Sequence, residues 1–263
     1  DTDIDAENGF IGYEYDTLGG YLGFDYLIDD NWLIGIMGGF SNTDIDYDNR
    51  LWEGDVDSWQ IAGYVSWFDE NWFVNLGGGF GDMNISSQRD ISFGSTLVGS
   101  VNSVANADYD GDFTYFYAKA GYSFNADGEG LMITPEVGLA YTKVKQDGFS
   151  ETGAGDLNLI VNQQSNDSLR GEIKVRVSKF FKSGNNGGGW MPYGSVGIAH
   201  EFEDDLRAIT AAFQGAPNGT FTVFGDVPRE TTVIFGAGVT GKVSEMFSVF
   251  LDYSGEIGGR FKE

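Results

Sequence analysis

Ten stretches of this chain, roughly ten residues each, alternate apolar side chains with polar ones or glycine. In the first, Leu18, Leu22, Phe24, Tyr26 and Ile28 take one face of an extended chain, while Gly19, Tyr21, Gly23 and Asp25 take the other. A later stretch carries the pattern further. Leu169, Gly171, Ile173, Val175 and Val177 point one way, and Arg170, Glu172, Lys174 and Arg176 point the other. A soluble core would not string charges along the reverse of so continuous an apolar face, so the alternation predicts strands with lipid on one side and water on the other. The expected strands lie near 17–28, 32–45, 55–68, 71–86, 109–124, 131–146, 166–181, 190–202, 220–240 and 246–257.

The spacing between them is lopsided. Short turns sit at Asp29-Asp30-Asn31, Asp69-Glu70-Asn71, Ala126 to Gly130, Ser183 to Gly189 and Val243-Ser244-Glu245, whereas 1–15, 41–58, 82–112, 143–168, 201–231 and 252–263 read as long connections on the other side. Short turns at one end and long loops at the other are the asymmetry of outer-membrane barrels, with the short side periplasmic. One hairpin unit recurs: Leu27 to Phe40 and Trp67 to Phe80 share two acids, Asn and Trp at the turn, then alternation, glycines and Phe. Trp32 and Trp72, with Phe124, Phe181, Trp190 and Phe247 beside the other short turns, form an expected aromatic girdle at the membrane interface. By the period-two rule Gln60, Asn75, Lys119, Glu136, Arg170, Glu172, Lys174, Arg176, Asp252 and Glu256 line the lumen. A β-sandwich is the competing architecture, but it does not place polar inner faces on strand after strand.

Composition narrows the picture. The 263 residues, 40 of them glycine and only 4 proline, suit one large β domain spanning the whole chain. No apolar run reaches the ~18 residues of a spanning helix, which leaves a closed barrel as the membrane architecture. The absence of cysteine accords with an exported envelope protein. A net charge of −25 argues against nucleic acid as a partner, and most of the acids fall in the long loops, where they keep an outer face solvated.

Few chemical motifs survive inspection. Gly236 to Gly241 matches GxGxxG but lies inside a strand pattern with no helix after it, so no nucleotide cofactor is expected. Asp44, Asp46, Asp48 and Asn49, with Asp55, resemble calcium-loop spacing but lack the turn glycine and the bidentate Glu, so no metal is expected. His200, the single histidine, stands beside Glu201 with Asp204 and Asp205 close by, which keeps a barrel hydrolase, protease or lipase, open as a rival to a chain without catalysis. A surface adhesin binding through its acidic loops is a third reading.

Seven stretches in order carry a family resemblance: Gly12 to Leu27, Ile133 to Val144, Asp147 to Gly155, Asn166 to Ser178, His200 to Asp205, Thr210 to Pro217 and Leu251 to Glu256. Together they resemble the autotransporter β-domain, the translocator of type Va secretion. The resemblance implies a twelve-stranded antiparallel transmembrane β-barrel in the Gram-negative outer membrane, a helix through its lumen, and an N-terminal passenger exported to the cell surface. It also implies outer-membrane lipid and the barrel-assembly machinery as partners, no cofactor, and no chemistry by the barrel itself. Some members cleave their passenger in the lumen, with residues partly on the helix, and no residue here is assigned to that. The family's first strand and helix are expected upstream of Asp1 and its last strand downstream of Glu263, so the ten strands correspond to the second through the eleventh.

Overall fold

The computed structural model describes residues 2–4, 12–47, 52–95, 99–182, 188–203, 208–225, 231–242 and 248–258. Ten long strands dominate: β1 (Tyr13–Leu27), β2 (Trp32–Tyr47), β3 (Trp52–Phe68), β4 (Trp72–Ser95), β5 (Gly99–Tyr122), β6 (Leu131–Gln146), β7 (Gln164–Lys179), β8 (Gly189–Glu201), β9 (Thr231–Lys242) and β10 (Ser248–Ile257). Each pairs antiparallel with its neighbours in sequence, and Thr2–Ile4 adds a short strand beside β1. Among the described residues there is no α-helix, only a 3₁₀ turn at Gly155–Leu157.

The short turns are built from local hydrogen bonds. In the first, the Asp29 carboxylate accepts the amides of Asn31 and Trp32 at 2.8 and 2.9 Å, while Asn31 Nδ2 donates to the Phe68 carbonyl at 2.7 Å, tying this turn to the next hairpin. In the turn at 126–130, Asp127 accepts the Glu129 and Leu131 amides at 2.8 and 2.9 Å and pairs with Lys179 at 2.7 Å. The Lys179 ammonium, followed by the two amides, holds the Asp127 carboxyl down to about 2.

The two faces of the sheet differ as the alternation predicts. On the outward face an apolar band of uniform height runs from Tyr26 to Leu18 on β1, Trp32 to Phe40 on β2, Trp67 to Trp59 on β3, Trp72 to Phe80 on β4, Val177 to Leu169 on β7 and Trp190 to Ile198 on β8. Each run is eight residue steps, about 27 Å along the strand and roughly 21 Å along a barrel axis at a tilt of about 40°. Its side chains have no protein cover: Ile173 is 69% exposed and Phe40 likewise.

The opposite face is concave, because its side chains bridge strands that are not neighbours. Tyr64 on β3 donates to Asp25 on β1 at 3.0 Å, Gln60 on β3 reaches Tyr21 on β1 at 3.2 Å, and Tyr115 on β5 reaches Gln60 at 2.8 Å. Arg170 on β7 pairs with Glu256 on β10. Strands lie about 4.8 Å apart, so a flat sheet would hold the last two backbones about 14 Å from one another. Packing requires small residues beneath the crossing rings: a Cβ on Gly35 would collide with the ring of Tyr64.

Several boundaries differ from expectation. Most of 41–58 is paired strand rather than loop, with β2 and β3 running on to the Asp46↔Glu53 pair. The segment 82–112 is not a loop: β4 and β5 continue as one ladder up to the Ser95↔Gly99 pair. The expected strand 220–240 divides into Thr220–Phe224 and β9. Within 143–168 and 201–231 a four-stranded sheet forms from Phe149–Ser150, Leu159–Val161, Ala208–Phe213 and Thr220–Phe224. Its small core joins Leu159, Val161 and Ala211 to Phe149.

Candidate functional site

All ten polar positions expected on the inner wall occupy one face, as the register shows: Asn75 opposes Lys119, Glu136 opposes Lys174, Gly138 lies between Lys119 and Glu172, and Asp252 and Glu256 continue the row on β10. Their centre is Glu136, only 5% exposed. Three cations converge on its carboxylate: Lys119 at 2.9 Å, Arg176 at 3.1 Å and Lys174 at 3.7 Å. Lys174 also reaches Glu172 at 3.1 Å. A carboxylate so enclosed is tolerable only with opposite charges against it, and the wall supplies them from both adjacent strands.

A second group lies toward β10. The Arg176 guanidinium sits 4.3 Å over the Tyr193 ring, and the Tyr193 hydroxyl donates to Asp252. Arg170 bonds both Glu256 and Thr232 Oγ1, the latter at 3.3 Å. Between these residues is a depression of about 540 Å³ reaching Glu172, Lys174 and Ser254. The β1–β5 sector is different in kind. At the level of the apolar band it carries the Tyr21, Gln60, Tyr64 and Tyr115 hydroxyls and amide, with Asp25, so there the basic charge of the described wall comes from β5 and β7.

Trp32, Trp72, Phe124, Phe181 and Trp190 all lie on the outward face at the short-turn end, where Phe181 stacks on Trp190 at 4.6 Å and Trp72 meets Tyr122 at 4.9 Å. Phe247 lies outside the described residues. Sequence reading missed a second aromatic row eight steps away: Phe40, Trp59, Phe80, Phe116 and Tyr141 close the upper edge of the band. The terminal Phe of the repeated hairpin was its visible trace. Immediately above it the outward positions become Asn42, Asp57, Asp82 and Asp112.

His200 and Glu201 project from opposite faces of β8. His200 Nδ1 shares a hydrogen bond with Thr231 Oγ1 at 2.9 Å, whereas Glu201 accepts from Ser168 Oγ at 2.7 Å and the Leu169 amide at 2.8 Å. Asp204 and Asp205 lie outside the described residues, and so do Asp48 and Asn49. Asp44 and Asp55 are cross-strand partners rather than members of a loop, and no metal-binding cluster is found among the described residues. The glycines 236–241 sit within β9.

The family profile described as Autotransporter beta-domain matches residues 1–254. Outer membrane protein A of Rickettsia conorii is 28% identical over 97% of this chain, which spans only 12% of that protein's length. Esterase EstA of Pseudomonas aeruginosa is 23% identical over 87% of the chain and 34% of its own length. Among solved structures, the translocator domain of autotransporter NalP from Neisseria meningitidis superposes with a TM-score of 0.71 at 15% identity, covering 96% of this chain and 77% of that one. Two-faced curled sheet and family profile agree, and the chain belongs to the autotransporter β-domain family of the bacterial outer membrane.

Proposed function

We propose that this chain is one translocator barrel domain, which anchors an attached passenger polypeptide in the outer membrane and carries it across. The observation that carries the reading is the wall itself: an eight-step apolar band on one face and, on the other, polar groups that bridge non-adjacent strands. In this reading Gln60, Asn75, Lys119, Glu136, Arg170, Glu172, Lys174, Arg176, Asp252 and Glu256 line the lumen. Trp32, Trp72, Phe124, Phe181 and Trp190 sit in the periplasmic headgroup layer, and Phe40, Trp59, Phe80, Phe116 and Tyr141 in the outer one.

The mechanism is physical rather than chemical. A hydrated, mixed-charge wall lets an extended peptide exchange water for wall groups without meeting hydrocarbon, and the enclosed Glu136 fixes three cationic side chains so that they do not collapse onto the passing chain. Outer-membrane lipid and the barrel-assembly machinery are the partners of the folded wall. No bond is made or broken by it. The esterase relative extends well beyond the matched region, and His200 and Glu201 face opposite ways, so a hydrolase site in the wall has no support from this geometry. An experiment separates these readings: in intact cells making the full-length protein, protease shaving reports the surface-exposed passenger. Charge reversal at Asp252 and Glu256, which keep water access, is expected to lower that signal severalfold with the barrel still inserted, and His200→Ala to leave it unchanged. Undiminished exposure after reversal would defeat the proposal.

A further inference from the structure

Above the apolar band the wall does not end. On β4 and β5 the inner positions Arg89, Ala105, Ala107 and Tyr109 belong to the same alternation as Asn75 and Lys119, and segment 147–161 lies across them. Phe149 stacks face to face on Tyr109, centroids 4.0 Å apart. Glu151 receives Arg89 through both carboxylate oxygens and also accepts the Leu159 amide at 2.7 Å, while Arg89 reaches on to the Leu157 carbonyl at 3.0 Å. This pair is enclosed, with side chains 14% and 4% exposed, and Ala105 and Ala107 beside it are buried.

The segment is held to the wall by little else. Past the last β5–β6 pair, Gly111 with Gln146, its backbone bonds to β5 are Asp147 N to Asp110 O at 2.9 Å and the mutual pair Asn106–Thr152 at 2.8 Å, against a continuous ladder for β4–β5. Gly148 begins it, and Gly153, at φ +100°, ends the latched part in a conformation that L side chains rarely adopt. An ion pair at the centre, few rungs and a glycine at each end are what a segment able to lift off the wall would need.

We propose that segment 147–161, with the small sheet continuing from it, is a gate at the outer mouth, latched by Arg89–Glu151. Seated, it fills the inner side of the hairpin above the lumen and keeps small solutes out of an idle barrel. Lifted by an emerging polypeptide, it exposes Ala105 and Ala107 and reseats afterwards. The inference rests on the barrel reading above but adds a closed state to it.

Planar-bilayer recording of the full-length protein tests it. Glu151→Gln is expected to raise the lifted population, and with it the frequency of full openings, about tenfold, the effect of losing one charge-assisted hydrogen bond. Adding Asn106→Cys and Thr152→Cys to that variant, within 263 residues that hold no cysteine, should abolish the rise when oxidised and restore it on reduction; hydrogen-bonded antiparallel partners lie about 5.5 Å apart at Cα, within disulfide reach. A rise that survives oxidation, or no rise at all, overturns the gate. Silence of every variant, reduced or oxidised, overturns instead the pore on which the gate depends. Should Glu151→Gln fail to fold, Ala105→Cys in the native chain still decides: slow labelling by a membrane-impermeant maleimide on intact cells supports lifting, and complete protection overturns it.

Discussion

Arg170 on β7 pairs with Glu256 on β10, across two intervening strands. The contact records the curl of the sheet, but both side chains keep substantial water access, so it contributes little energy. Glu256→Gln is expected to change stability by less than about 1 kcal/mol in urea unfolding of the micelle-embedded protein. Glu136→Gln leaves three cations without their enclosed counter-charge and is expected to cost about 3 kcal/mol or more in the same measurement. Equal effects would refute the central place given to Glu136.

Gly35 and Tyr64 should be energetically coupled. Gly35→Val drives a side chain into the space of the Tyr64 ring and breaks its hydrogen bond to Asp25, at a cost of about 1 to 3 kcal/mol. In the Tyr64→Ala background the same substitution should cost much less, and a double-mutant cycle reads the difference.

The turn at 126–130 predicts acid sensitivity. Asp127 is held at about 2 in the folded chain against an ordinary 3.8, so its contribution is complete above about pH 4 and is lost as pH falls toward 2. Removing Lys179 by Lys179→Met should bring the Asp127 carboxyl back toward its ordinary value, which NMR titration of the side-chain carbon resolves. An unshifted midpoint would show that the two backbone amides suffice.

Depth along a strand should set the tolerance for charge. Ile36→Arg, in the middle of the outward band of β2, is expected to cost about 2 to 4 kcal/mol, whereas Asp82→Arg, just above the band on β4, should cost about 1 or less. Unfolding into urea from lipid vesicles distinguishes the two.

Ten strands, their hairpin pairing and the faces of Arg170 to Arg176 were legible in the sequence because period two is the direct imprint of a two-sided wall. The continuation of β4 and β5 was not, although alternation persists there. Its sense reverses: Asp82, Asn84, Ser86 and Gln88 point outward, and Met83, Ile85 and Ile91 inward, as in a water-soluble sheet. Read with the membrane convention, such a segment looks like a polar loop. The small sheet escaped for another reason. Its core of Phe149, Leu159, Val161 and Ala211 is assembled from two loops separated by two whole strands, and no local pattern announces that meeting. That the ten polar positions share one face follows from parity alone, but the convergence of three cations on Glu136 depends on stagger between strands, which a single sequence leaves open.

The reversal of outward character at the upper aromatic row also sets how the barrel bears load. Sliding it inward by one residue pair would bring Asp57, Asp82 and Asp112 toward hydrocarbon, and sliding it outward would lift Phe40, Trp59 and Phe80 out of the headgroup layer. Each displacement is opposed at once on every strand that carries the row. In the translocator reading proposed above, a chain drawn through the pore, or a passenger tugged from outside the cell, pulls against a stiff, self-centring mooring rather than a greasy plug.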